Sequence, residues 1–182
     1  MQLPVSKTAL LVIDMMNTYE HEDADVLATS VAKIVDPLAG LISRARDRDD
    51  VDVIYVNDNY GDFTADFSDL VNAALGGRRP DLVGPIVPAP DSRKLTKVRH
   101  SAFYSTALGY LLGRLGTKRV VITGQVTEQC ILYTALDAHV RHFEVVIPPD
   151  TVAHIDADLG KAALKMMEQN MAATLCPAAE CI

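Results

Sequence analysis

Tryptophan is absent from this sequence, aromatic residues make up only 5% of it, and three cysteines occur among 182 residues. Cys130, Cys176 and Cys181 are odd in number and stand at no metal-binding spacing, so neither a disulfide framework nor a cysteine-ligated metal is expected to hold the fold. A basic excess is lacking too. Seventeen Lys and Arg stand against 24 Asp and Glu, a formal net charge of -7, and no basic block exceeds two residues. Nucleic-acid and anionic-membrane partners want a basic patch, and both are disfavoured. No apolar run approaches the ~20 residues that span a bilayer, and residues 1–6 show no charged segment leading into an apolar signal core. The expected location is therefore cytoplasmic. Glycine and proline are sparse, at ten and nine residues, which excludes collagen-like and low-complexity chains. With 49% hydrophobic and 23% charged residues, positions 1–182 read as one globular domain able to bury a substantial core.

Four short apolar runs are present: 9–14 (ALLVID), 51–57 (VDVIYVN), 119–124 (RVVITG) and 143–148 (FEVVIP). Continuous Val, Ile and Leu without polar alternation is the pattern of parallel strands covered on both faces. Helical rhythm fills the intervals at 26–46, with a kink or restart expected at Asp36-Pro37, and at 105–115, 127–140 and 156–173. Residues 76–94 carry Gly76-Gly77 and four prolines and read as a long irregular connection into a short strand near 95–97. Strand–helix alternation predicts a three-layer α/β/α fold with a mainly parallel, doubly wound sheet.

Ligands of such sheets sit beyond the carboxyl ends of the strands. Asp14, Asn57 with Asp58, Lys97, the segment 124–130 and Asp150 each end or follow a strand, so they are expected along one edge. Dinucleotide and phosphate-loop motifs are missing: no G-x-G-x-x-G follows a strand and no G-x-x-x-x-G-K-[ST] occurs.

Gly124-Gln125-Val126-Thr127-Glu128-Gln129-Cys130 reads as strand end, tight turn and helix start. Unpaired N–H groups at a helix start favour a thiolate and can lower a cysteine pKa below ~8.5. They can also stabilise an oxyanion. The ordinary alternative is a buried structural cysteine. Asp14, at the sheet edge, can accept a thiol proton as general base or serve as a simple turn residue. Lys97 can hold Asp14 ionised or be a solvated surface lysine.

Taken in order, these segments are similar to the isochorismatase-like family of cysteine hydrolases. The likeness runs from about Thr8 to Thr174. It rests on Asp14 closing the first strand, on Lys97-x-x-x-Ser101-Ala102-Phe103, on Gly124-x-x-Thr127-x-x-Cys130, and on Thr134, Ala135, Asp137, Ala138, Val145 and Asp150. The resemblance implies a catalytic triad of Asp14, Lys97 and Cys130. It implies a cis peptide before Val126, and an oxyanion hole from the amides of Val126 and Cys130. It also implies a substrate pocket lined by Tyr19, Phe103, Thr127 and the loop of Asn57, Asp58, Asn59 and Tyr60.

Cleavage of a small amide, carbamoyl or ureido C–N bond through a thioester is the expected activity. The alternatives are vinyl ether hydrolysis of the isochorismatase type, a non-catalytic ligand- or partner-binding member of the fold, and a thiol redox role. The last is disfavoured by the lack of C-x-x-C. Met16 stands where many members have Gln. Asp58-Asn59-Tyr60 lacks the His of a metal-dependent nicotinamidase, so no metal and no cofactor are expected. His21, His100, His139, His142 and His154 are scattered. His139 and His142 fall at a helix end, and His100 and His154 are candidates for the pocket border or for loop positions. A small-molecule substrate and a homo-oligomer, dimer or tetramer, complete what the resemblance implies.

Overall fold

A computed structural model describes residues 8–182. The segment 1–6, read above for a signal sequence, lies outside the described residues. In chain order the elements are β1 (Thr8–Ile13), α1 (Ala24–Val31), α2 (Val35–Arg46), β2 (Val51–Asp58), α3 (Phe67–Gly76), the single turn α4 (Pro80–Val83) and β3 (Arg93–Lys97). They continue with α5 (Leu108–Leu115), β4 (Arg119–Gln125), a π-helical turn (Thr127–Ile131) running into α6 (Leu132–Val140), β5 (Glu144–Ile147), β6 (Val152–Ala153), α7 (Ala157–Met171) and β7 (Thr174–Leu175).

The strands form one seven-stranded sheet of order β3-β2-β1-β4-β5-β7, with β6 paired to β4, and every pairing is parallel. Period-two alternation along β1 explains why both faces are covered. Leu10 and Val12 join a core with α1, α2 and α3, while Ala9, Leu11 and Ile13 face α5, α6 and α7. All five of these side chains are buried, the four larger ones each contributing about 1.5–3 kcal/mol of apolar transfer, so the register of this central strand is strongly specified.

The helix expected over 26–46 is broken, as anticipated, although the restart comes earlier than Asp36-Pro37. Ile34 is the N-cap of α2 and Pro37 lies in its first turn, where a missing N–H costs nothing; α1 and α2 meet at 56°. Residues 76–94 are less irregular than expected, since they hold α4 and a 3₁₀ turn at Gly84–Ile86. Among the described residues no single helix is long and apolar enough to cross a membrane.

The strand order positions the site. The chain runs outward from β1 to β2 and β3, then returns to lay β4 on the other side of β1, so a crevice opens between the carboxyl ends of β1 and β4. Register places Ile13 opposite both Val56 and Gly124, and Asp58 opposite Lys97.

Candidate active site

Asp14 leaves β1 in a left-handed conformation, φ 54°, which a short polar side chain tolerates and which turns the carboxylate off the strand axis. Three contacts fix it there. The Asp58 N–H donates to Oδ1 at 2.7 Å, and Lys97 Nζ lies 2.8 Å from Oδ2. The main-chain carbonyl accepts from Gln125 Nε2 at 2.6 Å. Gly124 makes the approach possible: with φ 111°, a Cβ there would fall 2.1 Å from the Ile13 carbonyl oxygen.

Lys97 emerges from β3, two strands and therefore about 10 Å away from β1. Only a long side chain covers that span. Its stem passes the end of β2, its ammonium is 1% exposed, and Nζ reaches Asp14, Asp58 Oδ2 at 3.3 Å and Cys130 Sγ at 3.7 Å. Burial alone would lower its pKa, but Asp14, Cys130 and Asp58 together hold it above its ordinary 10.5. The segment after β3 is pinned to α6 by Ser101 Oγ donating to Asp137 at 2.6 Å and by Thr134 Oγ1 accepting from the Ala102 N–H at 2.9 Å. These bonds explain what the Ser-Ala-Phe segment and the Thr134–Asp137 pair do.

Cys130 sits in the π-turn, whose register is marked by the Ile131 N–H bonding back five residues to the Val126 carbonyl. The peptide bond between Gln125 and Val126 is cis, as the resemblance implies, and the Val126 N–H is directed at the Cys130 sulfur. The expected lowering of the thiol pKa does not occur. Burial first, and the neighbouring Asp14 carboxylate second, outweigh Lys97 and the Val126 amide and push the thiol well above its ordinary value. Asp14 is likewise raised above 3.8 by burial, with Lys97 and the thiol pulling against that rise. The thiol and the Asp14 carboxyl, both pushed up by burial, stand within hydrogen-bonding reach of each other.

A cavity of about 350 Å³ opens over these groups. Asp14, Cys130, Val126, Asp58 and Tyr60 line it. Tyr60 is exposed, while its hydroxyl donates to the Met16 carbonyl at 3.2 Å. Tyr19, Asn57, Phe103 and Thr127 lie behind the wall. Asn57 brackets Met16 through its N–H and carbonyl, and Thr127 donates to the Ala153 carbonyl at 2.9 Å. Phe103 lies beneath the Arg141 guanidinium and against Phe143. Tyr19 is 1% exposed, its hydroxyl pushed up to about 12 by burial. Asp150 is turned away from this site and accepts the Ala178 N–H. His100 borders the cavity; His154 does not.

Sequence reasoning passed over Asn17, His21, Gln125 and Gln129, which also line the cavity. Gln125 had a signal, a polar residue closing an otherwise apolar strand. His21 had none, since it stands in a loop without periodicity. Among the described residues no group of three or more His, Cys, Asp or Glu is placed to hold a metal ion. The Asp58 carboxylate is engaged by Lys97 instead.

The fold is a three-layer α/β domain whose parallel strand ends bring Asp14, Lys97 and Cys130 together in one buried cluster. The isochorismatase domain model matches residues 8–180, and the chain belongs to that family of hydrolases. It is 37% identical to the uncharacterized isochorismatase family protein YaaI of Bacillus subtilis, over 88% of each chain. It is 29% identical to a maleamate amidohydrolase of Pseudomonas putida, over 87% of this chain and 78% of that one. Among solved structures, the N-carbamoylsarcosine amidase of Thermoplasma acidophilum superposes with a TM-score of 0.74 at 28% identity, covering 96% of this chain and 98% of that one.

Proposed function

We propose that this protein hydrolyses a C–N bond of a small amide, carbamoyl or ureido compound, with Cys130 as nucleophile, Asp14 as proton shuttle and Lys97 as the charge that holds both. The observation that carries this reading is the buried Lys97 ammonium, 2.8 Å from the Asp14 carboxylate and 3.7 Å from the Cys130 sulfur, beneath a cavity of substrate size. Support comes from the relatives, two of which bear names of enzymes that cleave such bonds.

Asp14 takes the Cys130 proton as sulfur adds to the substrate carbonyl carbon, and the oxyanion rests on the amides of Val126 and Cys130. Protonated Asp14 returns the proton to the departing nitrogen as the C–N bond breaks, leaving a thioester. Water then adds to that carbonyl with Asp14 again taking a proton, the C–S bond breaks, and the thiol is restored. A high thiol pKa suits this cycle, because the proton leaves only while the C–S bond forms. Asp58 and Tyr60 contact the substrate; Tyr19, Asn57, Phe103 and Thr127 hold the wall that shapes its space.

A hydrolysis screen over primary amides, carbamoyl and ureido compounds and isochorismate, comparing wild type with Cys130→Ala, tests the reading. Turnover of a C–N substrate that vanishes in Cys130→Ala, with an acyl adduct on Cys130 detected by mass spectrometry, is expected. Undiminished turnover in that variant, or turnover of isochorismate alone, overturns it.

A further inference from the structure

The cavity wall is short of cations. Among the described residues neither Arg nor Lys lines it, and the ammonium beneath it, that of Lys97, is already engaged by two carboxylates, Asp14 and Asp58. The other polar side chains of the wall are the carboxamides of Asn17, Gln125 and Gln129, the imidazoles of His21 and His100, and Tyr60. Gln125 is buried, spends its N–H on the Asp14 carbonyl, and leaves its own side-chain oxygen without a hydrogen-bond partner. The Tyr19 hydroxyl lies against the Gln125 side chain. Exposed Glu20, Glu22 and Asp23 flank His21 in sequence, and the whole chain carries a net charge of -7.

From this we propose that the site excludes anions, and that its substrate carries no carboxylate or phosphate at the end remote from the scissile bond. The inference rests on the proposed C–N hydrolysis and narrows it to uncharged amides, carbamoyl compounds or ureas. A carboxylate drawn into this cavity meets two carboxylates against one buried ammonium, in surroundings where charges a few ångströms apart interact far more strongly than in water. It would also find no guanidinium fork, the group suited to bidentate carboxylate recognition. A neutral substrate meets none of this, and its N–H groups face wall groups able to accept them. The maleamate amidohydrolase resembling this chain is named for a carboxylate-bearing amide, so the two sites are expected to differ in charge at their walls.

Alkylation of Cys130 by two reagents of nearly equal size, neutral iodoacetamide and anionic iodoacetate, tests this without requiring turnover. Rates on the intact protein at fixed pH and ionic strength are each divided by the rate on a small neutral thiol. Iodoacetamide is expected to be favoured by at least about tenfold after that correction, a fraction of the roughly thousandfold that a full like-charge contact at about 4 Å would give at an effective dielectric of about 20. Gln129→Arg, at an exposed position of the wall, is expected to shrink the preference severalfold. Equal corrected rates, faster reaction with iodoacetate, or a Cys130 that neither reagent reaches would overturn the inference. Comparing maleamide with maleamate, and N-carbamoylglycinamide with N-carbamoylglycine, then asks the same question in turnover. Failure of C–N hydrolysis itself appears in the screen above, whereas failure of anion exclusion appears in the alkylation ratio.

Discussion

Gln125 at the end of β4 donates its side-chain N–H to the main-chain carbonyl of Asp14 at the end of β1, 2.6 Å away, and so ties the two walls of the crevice together. The bond restrains a residue held at φ 54°. Gln125→Glu keeps the shape and removes the donor, setting a carboxylate against a carbonyl. It is expected to cut kcat/KM on the best amide by about a hundredfold, the scale of a small misplacement of a catalytic group. It is also expected to cost about 1–3 kcal/mol in denaturant unfolding, since a buried carbonyl loses its partner. Wild-type activity in Gln125→Glu would show that Asp14 keeps its place unaided.

The proton relationship between Asp14 and Cys130 gives a second prediction. After burial, the Asp14 carboxylate is the largest influence holding the thiol pKa up. Asp14→Asn should therefore lower the Cys130 pKa, read as thiolate absorbance near 240 nm, while reducing hydrolysis by about 10²–10⁴-fold through loss of the base. A more acidic thiol with less activity distinguishes a proton shuttle from a cysteine that needs only to be ionised. In the wild type, the acid limb of kcat/KM should lie above pH 3.8, because burial raises Asp14. The stability sign is opposite. A carboxyl raised in the folded state contributes fully below pH 3.8, and that contribution is given up as pH rises through its folded value.

Much of this was legible in the sequence for a physical reason. Strands β1, β2, β4 and β5 are continuous apolar runs, and burial on both faces leaves no other way to read ALLVID or RVVITG. The two-residue strands β6 and β7 are too short to carry any pattern. Helix α3 was passed over although Asp66 and Asp69 form a reciprocal capping box, because Asp at the third helical position is a weaker signal than Glu or Gln. Lys97 alone looks like a surface lysine; only the β2–β3 register, which sets it opposite Asp58, sends its side chain inward. The thiol's high pKa was hidden for a similar reason, since its causes are burial and a carboxylate 116 positions away in sequence.

Lys97 supplies a third prediction. Its ammonium is the counter-charge to both Asp14 and Asp58, so Lys97→Met leaves two carboxylates converging in a buried space. Breaking a buried pair by removing one partner costs about 3–5 kcal/mol. The Lys97→Met/Asp14→Asn double variant should recover part of that loss, and a double-mutant cycle in urea measures the coupling. Strict additivity of the two single effects would show that the pair contributes nothing to folding. With its folded pKa raised above 10.5, Lys97 contributes stability that is complete below pH 10.5 and is lost as pH climbs through its folded value. Wild-type protein should therefore lose this contribution in alkaline titration, and Lys97→Met should lack that step.

Gly124 supplies the last. Its φ of 111° is a conformation side chains rarely adopt, and an added Cβ would meet the Ile13 carbonyl oxygen at 2.1 Å and the Ile13 nitrogen at 2.8 Å. Both contacts are backbone atoms of the paired central strand, so no rotamer change relieves them. Gly124→Ala must therefore push β4 away from β1 at the point where Asp14 and Gln125 leave their strands. Backbone strain and overpacking each cost about 1–3 kcal/mol, enough to consume a large part of a typical domain's stability. The expected result is a sharply lowered unfolding midpoint, with whatever folded protein remains inactive because the crevice is wider. Gly113→Ala is the control. It lies in α5 with nothing within 4 Å of its added Cβ, and replacing a mid-helix glycine should leave activity intact and stabilise by about 0.5–1 kcal/mol. Equal midpoints for the two variants would mean that the β1–β4 crevice yields without cost, and the close approach that places Asp14 beside Cys130 would then need another cause.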